Sequence, residues 1–168
     1  YNMDRMDKFQ GQVRFLSIFV FDSDSGLFKE EIKLASPFEK EFSMLIPESL
    51  YGKSYDFLVW AGLDTESYSF PSSLQKGISK LEDFKVQVKG YEEQLVSKGL
   101  EPLWHGLIED ITFEINKEKT ETISLTKDTK TFRLVFSFWE EDELVFPYDL
   151  PDLDVSIYSA DGWYDYTN

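Results

Sequence analysis

The sequence contains no cysteine and a single histidine, His105. The lack of cysteine excludes disulfide bonds, thiolate metal sites and a cysteine nucleophile. No apolar run approaches the roughly 20 residues that a membrane-spanning helix needs. Basic residues are scarce as well, with 17 against 32 acidic ones and a net charge of -15. This charge repels phosphate backbones and anionic lipid, which argues against nucleic acid as a partner and against electrostatic attachment to a membrane.

Aromatic residues, in contrast, are abundant. The chain has 15 Phe, 9 Tyr and 4 Trp among its 168 residues. Aromatic side chains suit the pleated, half-buried surface of a sheet, so the composition favours β-structure. A domain near this length buries roughly 70% of its unfolded surface, which is enough to fold without disulfides or metals.

Residues 55–63 form the clearest predicted strand, and Gly62 marks its end. Tyr55, Phe57 and Val59 fall on one face, while Leu58 and Trp60 fall on the other, because side chains alternate along a strand. Apolar residues on both faces indicate a strand that is covered on both sides. We therefore expect Trp60 to be packed in the core, so that its replacement damages folding. Residues 13–21 have the same two-sided pattern.

The rest of the chain predicts further short strands separated by turns. A turn at residues 22–26 joins the strand at 13–21 to a strand at 28–34 in a hairpin. Other predicted strands lie at residues 42–46, 84–88, 111–115, 123–125 and 132–138, with loop at 64–79 and a short helix at 91–100. This pattern predicts an all-β antiparallel sandwich of about seven strands with Greek-key connections.

The character of the chain changes after Trp139. An acidic turn follows at residues 140–143, and Pro147 and Pro151 interrupt what comes next. We predict a domain at residues 1–150 and, at 151–168, a linker with the first residues of a truncated second module, including a strand at 154–158. The chain begins at Tyr1 without an initiator methionine, which we interpret as a processed or excised fragment.

Three sets of polar residues are candidates for metal-binding or catalytic sites. Asp22, Asp24 and Gly26 suggest a calcium loop, but such a loop has its glycine at the sixth position and here it is the fifth, so a hairpin turn is favoured. No nucleophile motif lies near His105 in the sequence, which favours a structural histidine. The alternative, that His105 acts with a serine far away in the sequence, stays open. The acidic pairs at 92–93 and 140–141 are interpreted as solvated surface. The sequence therefore predicts no enzyme, no cofactor and no metal site.

Three aromatic residues near the end are the candidate interaction site. Trp163, Tyr164 and Tyr166 could form a platform on which a sugar stacks. The alternative, which we favour, is that they belong to the core of the incomplete second module.

Several segments, taken in order, resemble the fimbrillin-associated anchor proteins, the FimB-type minor subunits of type V fimbriae in anaerobic Gram-negative bacteria. They cover essentially the whole chain. The segments that carry the resemblance are residues 1–3 with Asp7 and Phe9, residues 19–22 with Asp24 and Gly26, and residues 55–63, 103–106, 129–138 and 161–165. The residues taken as its structural signature are Trp60, Gly62, Trp104, His105 and Gly106.

The resemblance implies two tandem transthyretin-like β-sandwiches in a lipoprotein held on the outer membrane at the cell surface. It implies a role in anchoring the fimbrial shaft and limiting its length, without catalysis or cofactor. The implied partner is the shaft subunit, fimbrillin, bound by strand addition or interface packing. The lipid-bearing cysteine is absent from these residues and would lie upstream. The alternatives are a tip or shaft adhesin subunit and a carbohydrate-binding surface module.

Overall fold

The computed structural model describes residues 9–39, 41–63, 66–71, 73–90, 99–129, 138–140, 143–145, 162–165 and 167. The chain forms two compact units, Tyr1–Thr129 with Gly162–Asn168, and Lys130–Asp161. Helical structure in the described residues is limited to one short α-helix, α1 (Phe9–Gln12), and 3-10 turns at Glu48–Leu50 and Leu81–Asp83. The prediction of a mostly β, antiparallel chain is confirmed.

The first unit contains two antiparallel sheets. Its strands are β1 (Phe15–Asp22), β2 (Phe28–Ala35), β3 (Ser54–Ala61), β4 (Tyr68–Ser69), β5 (Val86–Val88), β6 (Trp104–Thr112), β7 (Thr126–Lys127) and β10 (Trp163–Tyr164). Five of them form a sheet in the order β2-β1-β3-β6-β7, and three form a second sheet in the order β10-β5-β4. The predicted hairpin is present, since β1 and β2 pair antiparallel with Ile18 opposite Ile32.

The central strands β1 and β3 are buried on both faces, as their sequences predict. On one face Phe19 and Trp60 pack with Tyr68 of β4, with Val86 and Val88 of β5 and with Phe84, which precedes β5, so the second sheet covers this side. The other face of the five-stranded sheet is covered by α1 and by chain segments that belong to no strand. Each fully buried large apolar side chain contributes about 1.5–3 kcal/mol of hydrophobic free energy.

Two predicted strands are segments without strand pairing. Residues 42–46 and 123–125 keep the apolar alternation, and Met44, Ile46, Ile123 and Leu125 pack against the sheet. Neither segment belongs to a strand. Alternation reports which side chains are buried, whereas a strand also needs a neighbouring backbone within hydrogen-bonding reach.

Other boundaries differ as well. Of the strand predicted at residues 111–115, only 111–112 belong to a strand, namely the end of β6, which begins at Trp104. Asn116, with φ 61°, lies in the turn that follows. The strand predicted at 84–88 is the shorter β5, and the predicted loop at 64–79 contains β4. Two-residue strands such as β4 carry too little alternation to be recognised from sequence.

Several predictions fall outside the described residues. They are most of the helix predicted at 91–100, most of the strand predicted at 132–138, and the strand predicted at 154–158. The domain boundary near residue 150 stays a prediction. In the second unit, β8 (Phe138–Glu140) and β9 (Glu143–Val145) pair as an antiparallel hairpin. In the first unit, Trp163 and Tyr164 of β10 pair with Gln87 and Val86 of β5.

Candidate functional site: a groove on the five-stranded sheet

Trp60 and His105 face each other across β3 and β6. Their ring centroids are 5.1 Å apart. Trp60 is fully buried, as predicted, and His105 is 5% exposed. His105 Nδ1 lies 2.7 Å from Oδ1 of Asp128, whose side chain is also buried. In the described part of the chain no hydroxyl is hydrogen-bonded to the imidazole. The geometry supports a structural histidine.

Gly62 and Gly106 are sites of close backbone approach. A Cβ on Gly62 would lie 2.1 Å from the carbonyl oxygen of Pro102, and Gly62 has φ 86°. A Cβ on Gly106 would lie 2.5 Å from the carbonyl oxygen of Ser124. At both positions glycine allows another backbone segment to pack directly against the sheet.

We expect Gly62→Ala to destabilise the protein by at least about 2 kcal/mol, because it adds a backbone clash to a strained φ. Gly77→Ala is the matched control, since Gly77 has φ 71° but no atom lies within 4 Å of its added Cβ. Its expected cost is about 1 kcal/mol, from backbone strain alone. Urea denaturation measures both. Equal losses in the two variants would show that the contact with Pro102 has no energetic role.

The turn at Asp22 has the hydrogen bonds of a hairpin. Ser25 donates its N–H and its hydroxyl to Oδ1 of Asp22, over 3.0 and 2.8 Å. These bonds lower the pKa of the Asp22 carboxyl. Gly26 takes φ 68°, and its N–H donates to the Asp22 carbonyl. Among the residues that the structure describes, no group of three or more His, Cys, Asp or Glu is arranged to hold a metal ion.

The terminal aromatic residues are only partly described. Tyr164 packs against the core on the Trp60 face of the sheet. Tyr166 and the side chain of Trp163 lie outside the described residues. Both interpretations of these three aromatics, sugar platform and module core, therefore stay predictions.

A concave surface lies on the opposite face of the sheet. It is a groove of about 1000 Å³. Its floor is apolar and comes from Ile18, Phe57, Val59 and Ile108, which belong to three adjacent strands. Trp104 lies at the same face, with its ring against Phe9 at 5.4 Å. We call this surface the sheet groove.

The two walls of the sheet groove are the segments at residues 41–46 and 119–125. Within the described chain, residues 41–46 and 119–124 make no backbone–backbone hydrogen bond. Leu45 is 94% exposed and Phe42 is 40% exposed. Polar side chains of Glu41, Lys119 and Glu121 also line the groove. Unpaired backbone groups beside an apolar floor form a surface suited to an extended protein segment.

The five-stranded sheet also has open edges. β2 forms one edge, which is open from residue 30 to 35, and at the other edge β7 pairs only with Trp104 and His105 of the nine-residue β6. Sequence patterns indicate strands but not their order in a sheet, so neither the groove nor the position of β2 at an edge could be predicted locally.

Comparison with known proteins decides the family. A family model described as fimbrillin-A associated anchor proteins Mfa1 and Mfa2 matches residues 1–168. The chain belongs to this family. No curated protein matches the chain.

Solved structures show the same kind of fold. A candidate polysaccharide-binding protein from Bacteroides thetaiotaomicron is 31% identical over 76% of this chain, with a TM-score of 0.62. Candidate adhesins from Bacteroides ovatus and Bacteroides thetaiotaomicron are 23% and 21% identical over 76% of the chain, with TM-scores of 0.60 and 0.52. The chain covers only 44%, 43% and 42% of these three proteins. The fold is thus the β-sandwich-like fold of Bacteroides adhesin structures.

The described residues include no helix that is both long and apolar enough to span a membrane.

Proposed function

We propose that this chain is part of a non-enzymatic fimbrial anchor subunit. The subunit attaches the fimbrial shaft to the outer membrane and limits its length, and a lipidated cysteine upstream of Tyr1 holds the full-length form in the membrane. The observation that carries the proposal is the family match over residues 1–168. The sheet groove, on the face of the sheet opposite Trp60, has exposed apolar residues in its wall, Phe42 and Leu45, which a protein partner would cover.

The architecture proposed with this function is a transthyretin-like Greek-key sandwich at residues 1–150, followed by a second similar module of which 151–168 are the beginning. Support comes from the two antiparallel layers of the first unit. The chain also spans less than half of the matched structures, which leaves room for a second module in proteins of that length.

The sheet groove fits a shaft subunit chemically. A partner strand with apolar residues at every second position would place them over the apolar floor, against the half-buried Ile108 and the exposed wall residues Phe42 and Leu45. Its backbone would satisfy the unpaired groups of the walls at 41–46 and 119–124. Packing of a preformed apolar surface on the same floor is the other mode of binding. Both modes depend on keeping charge out of the floor and the inward-facing wall residues.

We expect Ile123→Glu to weaken binding of the purified shaft subunit at least about tenfold, because a carboxylate buried by the partner would have no compensating charge. Ile123 lies in a wall of the groove. Ile78→Glu is the matched control, since Ile78 is 67% exposed and does not line the groove. Equilibrium binding with immobilised shaft subunit measures the loss, and thermal unfolding confirms that both variants are folded. Wild-type affinity in Ile123→Glu would exclude the groove as the binding surface.

The function itself is tested in cells. A strain without this protein should shed its fimbriae or carry abnormally long ones. Normally attached fimbriae of normal length in that strain would contradict the anchor role, whichever surface binds the shaft.

A carbohydrate-binding module is the second candidate function. It is favoured by the similarity, at 31% identity, to a candidate polysaccharide-binding protein. A glycan array with the wild type and Trp163→Ala tests it. Binding that disappears in the variant would support a sugar platform at the chain end, and absence of binding by the wild type would count against it.

A further inference from the structure

The outer edge of β2 has unpaired backbone groups in a defined order. Ser36 N–H donates to the Arg14 carbonyl, and the register of β1 with β2 continues from there without interruption as far as Glu30. Residues 30, 32 and 34 of β2 therefore hydrogen-bond to β1, while Glu31, Lys33 and Ala35 direct their N–H and C=O groups away from the sheet. Across the part of the chain that the structure describes, these outward groups have no hydrogen-bond partner.

The start of β2 is covered differently. Phe28 N–H donates to the Ser79 carbonyl, and Gly77 N–H donates to the Phe28 carbonyl. This loop occupies the edge at Phe28 and leaves the segment from residue 30 to 35 open. The open segment is long enough for a strand pairing of typical length.

The charges on the open segment are self-complementary. Glu31 and Lys33 are exposed on the same face, and Lys33 Nζ lies 3.3 Å from Glu31 Oε2. We propose that a second copy of this chain pairs antiparallel with this edge, with Glu31 of each copy opposite Lys33 of the other. This proposal goes beyond the anchor function and uses a surface separate from the floor of the sheet groove.

Among the registers centred on Glu31, Ile32 and Lys33, only the one centred on Ile32 places opposite charges across from each other. In a two-fold pairing centred on Glu31, the two Glu31 carboxylates would face each other. Centred on Lys33, the two ammonium groups would do so. Centred on Ile32, both cross-strand pairs are Glu31 with Lys33, and each pair also exchanges two backbone hydrogen bonds. Like charges directly opposite each other destabilise a sheet, so the first two registers are disfavoured.

Side chains on the other face agree with the same register. Ile32 of one copy lies opposite Ile32 of the other, and both are half-buried before association. The pairing would join two five-stranded sheets across a two-fold axis, which is the commonest symmetry of homodimers. Because the contact is a single strand edge, the dimer is expected to be weak and concentration-dependent.

Charge reversal tests the register. Sedimentation equilibrium of the whole chain, from about 10 µM to about 1 mM and near physiological salt, measures the dimer. Lys33→Glu and Glu31→Lys should each weaken homodimerisation at least about tenfold, because each places like charges opposite each other twice. An equimolar mixture of the two variants should form a heterodimer, since every cross-strand pair is then opposite in charge. Lys53→Glu, with the same charge change in an exposed position before β3, should dimerise like the wild type.

Three results would overturn the proposal. The first is a wild type that stays monomeric up to about 1 mM, where even weak edge pairing is populated. The second is a Lys33→Glu variant that dimerises as well as the wild type. The third is a dimer in which the amides of Glu31 and Lys33 gain no protection from hydrogen exchange, because the contact would then lie elsewhere on the chain. Retained thermal stability shows that the variants are folded in each case.

Discussion

Replacing His105 with alanine should lower the free energy of unfolding by about 3 kcal/mol or more, because it leaves a buried carboxylate without its partner. Asp128 is buried, and its only hydrogen-bond partner through Oδ1 among the described residues is His105 Nδ1, at 2.7 Å. Oδ2 of Asp128 already has no partner within the described chain. The variant also removes the ring that packs on Trp60, so lost packing adds to the electrostatic cost.

The matched control removes both polar groups. In His105→Phe with Asp128→Leu, no buried polar group is left unpaired, so most of the stability should return. Asp128→Ala should cost less than His105→Ala, since a neutral imidazole is cheaper to bury than a carboxylate. Urea denaturation of the four proteins measures these differences in stability. A loss below about 1 kcal/mol in His105→Ala would show that Asp128 finds other partners when the imidazole is removed.

The local sequence pattern predicted the core well at positions where burial alone decides whether a residue is apolar. The two-sided alternation of residues 55–61 and 15–21 corresponds to β3 and β1, which are covered on both faces. The hairpin turn was recognised because Asp22 and Gly26 act within five residues of each other. Both features depend only on residues that are close in sequence, so the known geometry of strands and turns is enough to predict them.

Contacts between distant segments were not predicted. Asp128 lies 23 residues from His105 and carries no local signal for that bond. Asp56 is another case: it is buried in β3 beside a β-bulge, and it accepts hydrogen bonds from the Ser23 hydroxyl at 2.6 Å and the Asp110 N–H at 2.9 Å. A carboxylate in an apolar strand needs such partners, yet sequence does not say where they come from.

The candidate site was missed for the same reason. The sequence pointed to sheet edges in general, and β2 is such an edge. The sheet groove, however, exists because residues 42–46 and 123–125 pack beside the sheet without joining it. Their alternation is that of strands, so the pattern predicted the burial of Met44 and Ile123 but not the missing hydrogen bonds. Open surface is a property of strand order, which local periodicity does not encode.

Trp60→Ala should cost about 3–5 kcal/mol, because a large cavity replaces a fully buried indole. The indole of Trp60 stacks on Phe84, with ring centroids 6.1 Å apart, and is tilted against the His105 ring at 5.1 Å, so rings from two different segments hold it in place. A domain of this size has about 5–15 kcal/mol of total stability, so this one change removes a large part of it.

Two controls separate packing from chemistry at Trp60. Its Nε1 has no hydrogen-bond partner in the described chain, so Trp60→Phe loses volume but no hydrogen bond and should cost only about 1–2 kcal/mol. Leu45→Ala, at a position 94% exposed, should change stability by less than about 0.5 kcal/mol.

Urea denaturation gives the three values, and binding to the shaft subunit is measured on folded protein. A Trp60→Ala variant with wild-type stability and lost binding would make Trp60 a contact residue and refute its role as core. If Trp60→Ala loses stability but its folded molecules still bind the shaft subunit as the wild type does, the result would agree with binding on the opposite face of the sheet, where the sheet groove lies.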